Sequence, residues 1–597
     1  MESDNLNLKE VVIKEFVNSG INLTPSILEI LLKLDAPLEK VKLIIKNISF
    51  LPSFDSHLTI DVLRKISNPE IEKALNQVLI KEIQSKTIQN QHLKEKLYAA
   101  SLNSNEEVEI TEAKPQTSDG FKNVKKLNIQ QENQENSFVV DETSKKSPLG
   151  IQKDKTRTTP YQSSRSTLKF KPSAKEYDFN YKILKDPTDK LYTNGTYEDF
   201  YNLTLDKFNK LRELIKKRPE VHSANNINNI LRLTNKVEIS VIGMIYDIHK
   251  TKNGNFFLTL EDLTNSINVI IKNDSENQEN VKIAERCLND QMIYVEGTYN
   301  PGDNRKGGIV YGNYISKIDI PRDYQPNMSI SPLSIALISD THIGSKEFEE
   351  HLWNRFIDFL NGKIGNKKQK EIAGRIKYLI INGDLVDGIG VYPNQKSDLI
   401  ITDIYKQFEK AKEILSGVPE YIKIFYSSGN HEPVRNAIPR PAVPKKYSAE
   451  LIDNGVLCIG NPSLIQTHNV NTLVFHGDSL LDLNMLIHGL DNNKPIDTMV
   501  ELLKCRHLAP VYGKKTQIAP TSNDWLVIDK IPDIFHTGHI HINGMDYYNN
   551  ISLVNSGCFQ TQTEFMNSLG IHPTPGILSI VDLDTLKGTQ LDLKSSV

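Results

Sequence analysis

Five short polar clusters in this chain each follow an apolar run, and their residue types are those that hold metal ions. In order they are Asp340-Thr341-His342, Gly383-Asp384-Leu385-Val386-Asp387, Gly429-Asn430-His431-Glu432, His476-Gly477-Asp478 and Gly538-His539-Ile540-His541. Singly, none decides anything: an Asp-x-His arises by chance in many long chains, and a lone histidine after a strand is more often packed or on the surface. Five clusters in this order are another matter. Hydrolysing a phosphodiester at neutral pH needs a hydroxide and stabilisation of charge on the phosphoryl and leaving oxygens. Two divalent ions about 3.5–4 Å apart, bridged by one carboxylate, supply both. Asp, His and Asn without thiolate suit Mn²⁺ first, then Fe²⁺ or Zn²⁺, with Mg²⁺ behind because it favours an all-oxygen shell.

Placing these groups requires strands that end together. Apolar runs such as Ile335 to Ile338 and Tyr378 to Ile381 alternate with helical patterns, Phe348, Leu352, Phe356 and Leu360 in the first and Ile404, Phe408 and Leu415 in the second. That alternation predicts an α/β layered domain, whose ligands gather at the carboxyl ends of the strands. Upstream the period changes to two. Val237 to Val241, Phe256 to Leu260, Ile267 to Ile271, Ile293 to Val295 and Ile309 to Ile318 read as strands, with Asn253-Gly254 as a hairpin turn and a helical insert around Val281 to Cys287. Five strands with a helix in that place predict an OB-fold barrel. Phe256, Phe257 and Tyr294 either stack bases or, more commonly for such residues, pack the barrel. Residues 196–218 predict a helix with Phe208, Leu211 and Ile215 on one face, stopped by Pro219.

The N-terminal portion differs. Residues 6–80 show helical spacing in Val12, Phe16, Ile27, Leu31 and Leu34, with Thr24-Pro25 as a helix start, and read as a small docking unit. From about 100 to 172 the chain fills with Asn, Gln, Ser, Thr and Lys and predicts a disordered linker. Its basic end, with Lys153, Lys155, Arg157, Arg165, Lys169 and Lys171, is either simply solvated or a transient nucleic-acid contact.

Composition narrows the class. The 597 residues allow roughly three to five domains. Cys287, Cys458, Cys505 and Cys558 contain no C-x-x-C pair, which excludes a Cys-ligated zinc ribbon and a disulfide framework. No apolar run approaches a membrane span and Met1-Glu2-Ser3-Asp4 does not open a signal peptide, so the expected location is cytoplasmic. A net charge of −3 removes any global attraction to nucleic acid, and basic surface must be local.

The five clusters resemble the calcineurin-like metallophosphoesterase superfamily. Two further stretches, Glu501-Leu502-Leu503-Lys504-Cys505-Arg506-His507-Leu508-Ala509-Pro510-Val511-Tyr512-Gly513 and Pro532-Asp533-Ile534-Phe535-His536-Thr537-Gly538-His539-Ile540-His541, are followed by Asn555-Ser556-Gly557-Cys558-Phe559-Gln560 and Gln562-Thr563-Glu564. With the OB-like region, these resemble the small subunits of the archaeal D-family DNA polymerase over about residues 175–597. The N-terminal unit and linker match only in position.

Together the patterns and the resemblance predict an α+β multidomain chain: from the residue patterns, a helical docking domain over 1–80, a disordered linker over 100–172 and a helix plus OB-fold over 175–325, and from the resemblance a calcineurin-like phosphoesterase domain over 330–597. The resemblance implies a heterodimer in which a large catalytic subunit polymerises and this chain proofreads, removing nucleotides from single-stranded or mispaired DNA 3′ ends by two-metal hydrolysis. A sliding clamp or a primase are further candidate partners, although no clean clamp-binding motif is present. Carried over by position, Asp340, His342 and His541 would hold one metal, Asp384 would bridge, and Asn430, His476 and His539 would complete the second. His431 would be the catalytic acid or transition-state stabiliser rather than a ligand. Glu432 departs from the Asp more usual there, which bears on how His431 is oriented. The alternatives are a catalytically silent scaffold, distinguished by lack of metal-dependent activity, and a stand-alone repair nuclease or phosphatase, distinguished by lack of a large partner.

Overall fold

The apolar runs that precede the polar clusters form strands buried on both faces, which is why they read as continuous rather than alternating. The computed structural model describes residues 170–595, apart from 222 and 303–306, together with short segments between residues 2 and 58. The chain divides into two compact units, Met1–Thr156 and Arg157–Val597.

In the first unit, helices Glu2–Asn18, Pro25–Leu32 and Pro37–Ile48 bury Val12, Phe16, Ile27, Leu31, Val41 and Ile44, and Asn22–Leu23 pairs in parallel with His57–Leu58. Thr24 and Leu34 lie outside the described residues, as does the expected linker up to residue 169. The last three residues assigned to that linker belong instead to the folded second unit. Phe170 packs against the core of the phosphoesterase region, and a side chain at Gly362 would run into its ring. Pro172 leads into the turn Ser173–Glu176, which buries Ala174, and Lys377 Nζ donates to the carbonyls of Ala174 and Tyr177 at 3.0 and 2.5 Å.

The second unit contains a closed five-stranded barrel made of Val237–Lys250, Phe256–Glu261, Ser266–Ile271, Met292–Asn300 and Ile309–Lys317, in the spatial order first, second, third, fifth, fourth. Helix Gln278–Ala284 sits between the third and fourth strands, and the first hairpin turns through Gly254 at φ 82°. Phe256 and Tyr294 are buried, so neither presents a face to a base. Tyr294 shares a cluster with Phe208, Leu211 and Ile215 of helix Tyr197–Ile215 and with Val527. That helix begins in a capping box between Thr196 and Asp199.

The C-terminal region is a sandwich of two six-stranded sheets with helices outside. One sheet runs Leu457–Ile459, Lys423–Ser427, Ile376–Asn382, Ser334–Ile338, Ile577–Asp582, Gly588–Asp592; its first four strands are parallel. The other runs Gly544–Tyr548, Ile551–Asn555, Ile534–Thr537, Val470–Val474, Ser463–Thr467, Tyr181–Lys185. Successive side chains divide between layers. Ile335, Leu337, Tyr378, Ile380 and Phe425 meet Val474, Ile534 and Val554 between the sheets. Ala336, Ile338, Leu379 and Ile381 face helices Glu350–Leu360 and Ile404–Leu415, while Leu473, Phe475, Phe535 and Leu553 face helix Pro495–Cys505. Phe348, expected in the first helix, precedes it and bridges to Gln560.

Strand Tyr181–Lys185, inside the stretch assigned to the helix and barrel, is an edge strand of the second sheet, antiparallel to Ser463–Thr467. Barrel and sandwich also meet at Glu501, whose fully buried carboxylate accepts from Arg286 Nη1 at 2.8 Å, Lys317 Nζ at 3.1 Å and Lys504 Nζ at 3.0 Å. No helix among the described residues is long and apolar enough to cross a membrane.

Candidate metal centre

All eight side chains expected at the site converge where the two sheets end side by side. The first sheet contributes Asp340 and His342 after Ser334–Ile338, Asp384 after Ile376–Asn382, and Asn430 and His431 after Lys423–Ser427. The second contributes His476 after Val470–Val474, and His539 and His541 after Ile534–Thr537. Asp340, His342, Asp384, His539 and His541 all have left-handed backbones, with φ between 51° and 70°. L-residues rarely adopt that conformation, and its concentration at one site marks backbone held for function. Added side chains at Gly383, Gly429 and Gly538 would collide with His476, Asp384 and Asp340, so these glycines permit the close packing of ligand loops.

The donor atoms form three neighbouring groups among the described residues: Asp340 with His342 and His541, Asp384 with His476 and His539, and a third in which His342 meets Asp387 and His431. In the first, Asp340 Oδ1 is buried without a hydrogen bond, 3.4 Å from His541 Nε2 and 3.9 Å from His342 Nε2. His342 Nε2 and His541 Nε2 face each other at 3.1 Å. In the second, His476 Nε2 lies 3.2 Å from Asp384 Oδ2, 3.1 Å from Asn430 Oδ1 and 3.3 Å from His539 Nδ1. Asp384 Oδ2 stands between these two groups, 3.9 Å from His342 Nε2 as well. Ring nitrogens facing each other at such distances share either an N–H hydrogen or a metal ion.

The electrostatics agree. Burial would raise the Asp340 carboxyl, but the charge of His541 holds it at about 2. Burial likewise opposes ionisation of Asp384, and His476 and His431 hold it well below the usual carboxylate range. The imidazoles respond in kind. His476, which burial would lower, is pushed up to about 10 by Asp384, and His541 is raised by Asp340, whereas burial takes His539 down to about 4. Two buried carboxylates thus demand positive charge, and the O- and N-donor set fits divalent cations.

Further contacts fix the candidate ligands in place. His342 Nδ1 is 2.9 Å from Asp387 Oδ1, and His476 Nδ1 is 2.8 Å from the Asn382 carbonyl, so each ring turns Nε2 inward. Asn382 Nδ2 donates across the sandwich to the carbonyls of Phe475 and His536 at 2.9 and 3.0 Å. His431 belongs to neither of the first two groups but sits against His342, with ring centroids 4.6 Å apart. Its Nδ1 is 2.6 Å from the Asp387 carbonyl, its backbone N–H donates to Asp384 Oδ1 at 2.9 Å, and its Nε2 is 3.9 Å from Asp384 Oδ2.

Glu432 does not face His431. It accepts from the backbone N–H groups of Asp384, Leu385 and Gly429 at 3.0, 2.8 and 2.6 Å and from Tyr426 Oη at 2.7 Å, clamping two ligand loops together. Asp478, the third residue of its cluster, is spent on a buried bidentate pair with Arg440 at 2.6 and 3.0 Å. Two residues with a part in the site went unassigned in the sequence. Asp387 was visible three positions after Asp384; Gln395, which donates to Asp387 Oδ2 at 2.9 Å, carried no signal.

Residues 333–543 match the calcineurin-like phosphoesterase family. The chain is 37% identical over 413 residues to the DNA polymerase II small subunit of Methanothermobacter thermautotrophicus, an alignment covering 69% of this chain and 83% of that one. The chain belongs to the DNA polymerase II small-subunit family. Other members are the small subunits of Pyrococcus furiosus, 36% identical with 69% of each chain covered, and of Methanocaldococcus jannaschii, 37% identical with 69% of this chain and 68% of that one covered. Membership in the family implies a large catalytic subunit as partner, and the phosphoesterase domain implies divalent metal ions and hydrolase chemistry.

Proposed function

We propose that this small subunit is a metal-dependent 3′–5′ exonuclease, acting in the cytoplasm on single-stranded or mispaired 3′ ends of DNA delivered by the large polymerase subunit. The observation that carries this reading is the pair of donor groups, Asp340 with His342 and His541 and Asp384 with His476 and His539, with Asp384 Oδ2 also 3.9 Å from His342 Nε2, and with His431 beside them. Asp340, His342 and His541 would hold one ion, Asn430, His476 and His539 the other, and Asp384 would bridge. When bound, the ions, Mn²⁺ before Fe²⁺, Zn²⁺ or Mg²⁺, supply an activated water and neutralise the phosphoryl oxygens.

The protein's own part is positioning and proton transfer. A carbonyl can only accept, so the Asp387 carbonyl keeps a proton on His431 Nδ1 and leaves Nε2 facing the site. With Nε2 protonated as well, the imidazolium gives that proton to the 3′-oxygen as its bond to phosphorus breaks, while the water oxygen bonds to phosphorus and releases its own proton to solvent; the neutral ring then regains a proton from solvent. The products are a 5′-mononucleotide and a strand shortened by one residue. The five-stranded barrel reads as an OB-fold, and with the domain over 330–597 it serves as the platform for the large subunit. The expected docking domain over 1–80 is described only in part, and the expected linker over 100–172 lies outside the described residues up to 169; a clamp or a primase are further partners of the assembled polymerase in this reading.

The test is a 5′-labelled single strand incubated with the full chain. Stepwise shortening from the 3′ end with Mn²⁺, release of 5′-mononucleotides, and none of this in chelator is the expected result. Degradation that persists in chelator overturns the reading, and so does endonucleolytic cutting alone. Recovery of a stoichiometric large partner from the native source separates it from a stand-alone nuclease.

A further inference from the structure

Beside His431 the surface carries an aromatic pair that the hydrolytic chemistry does not use. Tyr392, from the loop after Asp387, lies with its ring centroid 6.5 Å from that of His431. Phe565, from the short helix Glu564–Ser568, lies parallel to Tyr392, with centroids 6.1 Å apart and planes 9° from each other. The two residues are 173 positions apart in sequence, so the pairing is made by the fold.

Core packing does not account for it. Phe565 is 58% exposed, and Ile389, Val391 and Ile400 beside Tyr392 in sequence are exposed too. Tyr392 is held at its other end, where Oη donates to Asp398 Oδ2 at 3.1 Å. The Asp398 carbonyl accepts in turn from the backbone N–H of Lys346, and both Lys346 and the nearby Lys396 are exposed. A fixed, parallel, half-open stack next to His431 offers what an unpaired base needs, a π-face, while Lys346 and Lys396 on the same segments are offset by Glu347, Asp398 and Glu564, so the grip is stacking rather than charge.

We propose that Tyr392 and Phe565 form a stacking step that takes the base at the 3′ end of the DNA strand and so sets the scissile phosphate against His431. This rests on the nuclease reading above and adds how the terminal nucleotide is selected. Because every base has a π-face, the step grips any unpaired end, whereas a paired terminal base is already stacked within its duplex and must be withdrawn first. Preference for frayed ends then follows from the platform. Tyr392 and Phe565 are positioning residues: they touch the base, not the reacting atoms.

The experiment uses the full chain and a single strand carrying 2-aminopurine at its 3′ terminus, whose fluorescence falls when the base stacks. In chelator, where hydrolysis cannot remove the probe, titration with the chain is expected to quench it. Phe565→Leu and Tyr392→Leu are expected to abolish the quenching and weaken binding about tenfold, and Tyr392→Phe to retain it, since only the Asp398 bond is lost. An internal 2-aminopurine should respond alike in all variants.

Parallel assays with Mn²⁺ keep the two readings apart. Wild-type quenching in both leucine variants, with hydrolysis intact, overturns the platform and leaves the nuclease standing. Quenching lost in the variants but no hydrolysis by the wild type overturns the nuclease and leaves a base-binding platform. No response to the oligonucleotide from the wild type overturns the platform outright and makes the exposed aromatics a protein contact.

Discussion

Asp387 holds His431 through its backbone, its carbonyl oxygen 2.6 Å from His431 Nδ1, while its carboxylate is turned to His342 at 2.9 Å. One residue therefore sets both a ligand and the proposed acid. Their contributions separate by substitution. His431→Ala is expected to lower hydrolysis by roughly 10²–10⁴-fold and leave bound metal near wild type, whereas Asp384→Asn loses both. Metal content of the purified variants, measured beside rates on a single strand, checks this; equal metal loss in both would make His431 a ligand.

Asp387→Asn keeps the carbonyl that anchors His431 but removes the anion behind His342. Metal affinity is expected to fall roughly 10–100-fold, with the rate recovering at saturating Mn²⁺. A titration of activity against metal concentration shows it as a rightward shift at nearly constant maximum.

Glu432 accepts four hydrogen bonds, three of them from backbone of the ligand loops. Glu432→Gln turns an NH₂ toward those donors and is expected to cost about 1–3 kcal/mol, seen as a lower Tm without metal and weaker metal retention. Unchanged stability would mean the loops hold their shape without the clamp.

Glu501 gives a pH signature. Burial would raise its carboxyl, but Lys317, Lys504 and Arg286 hold it at about 2, against an ordinary value of 4.5. A carboxyl depressed on folding adds stability that is complete above the unfolded value and lost as pH falls from about 4.5 toward 2. The contribution is about 3 kcal/mol. Glu501→Gln should flatten the dependence of unfolding free energy on pH within that window, and should also destabilise at neutral pH because Lys317 is left buried without its anion.

Phe170 fixes where the N-terminal segment can be removed. A chain beginning near residue 165 is expected to fold and melt like the full second unit. One beginning at Lys175 loses Phe170 from the core and the Ala174 carbonyl from Lys377, and should be less stable by about 1–3 kcal/mol. Thermal melts of the two decide it.

The candidate site was legible because its polar clusters sit at strand ends and strands announce themselves as apolar runs: Ile335 to Ile338 and Tyr378 to Ile381 each point to the cluster that follows. The second sheet was not legible. A run such as Tyr378 to Ile381 says that both faces are covered, but not that one is covered by another sheet and the other by helices. The edge strand Tyr181–Lys185 was hidden for a similar reason, since its partner lies some 280 residues away and its burial does not alternate, with Lys182, Ile183 and Leu184 all exposed. Left-handed backbone at Asp340 or His541 leaves no mark in residue type, because the ligand chemistry dictates the residue. Asp478 shows the opposite failing: it sits in a metal-site cluster, yet its charge goes to Arg440.

Because Asp340, Asp384 and Asn430 hang from one sheet and His476, His539 and His541 from the other, the candidate site is a seam, riveted beneath by Asn382. Sliding one sheet past the other by an ångström would pull the two ligand sets out of register, and misplacement of that size costs roughly 10²-fold in rate. Any partner that grips only one sheet therefore has leverage over the chemistry without approaching it. The edge strand Tyr181–Lys185 and the Glu501 junction, both fastened to the second sheet's side, are the handles through which such a load would arrive.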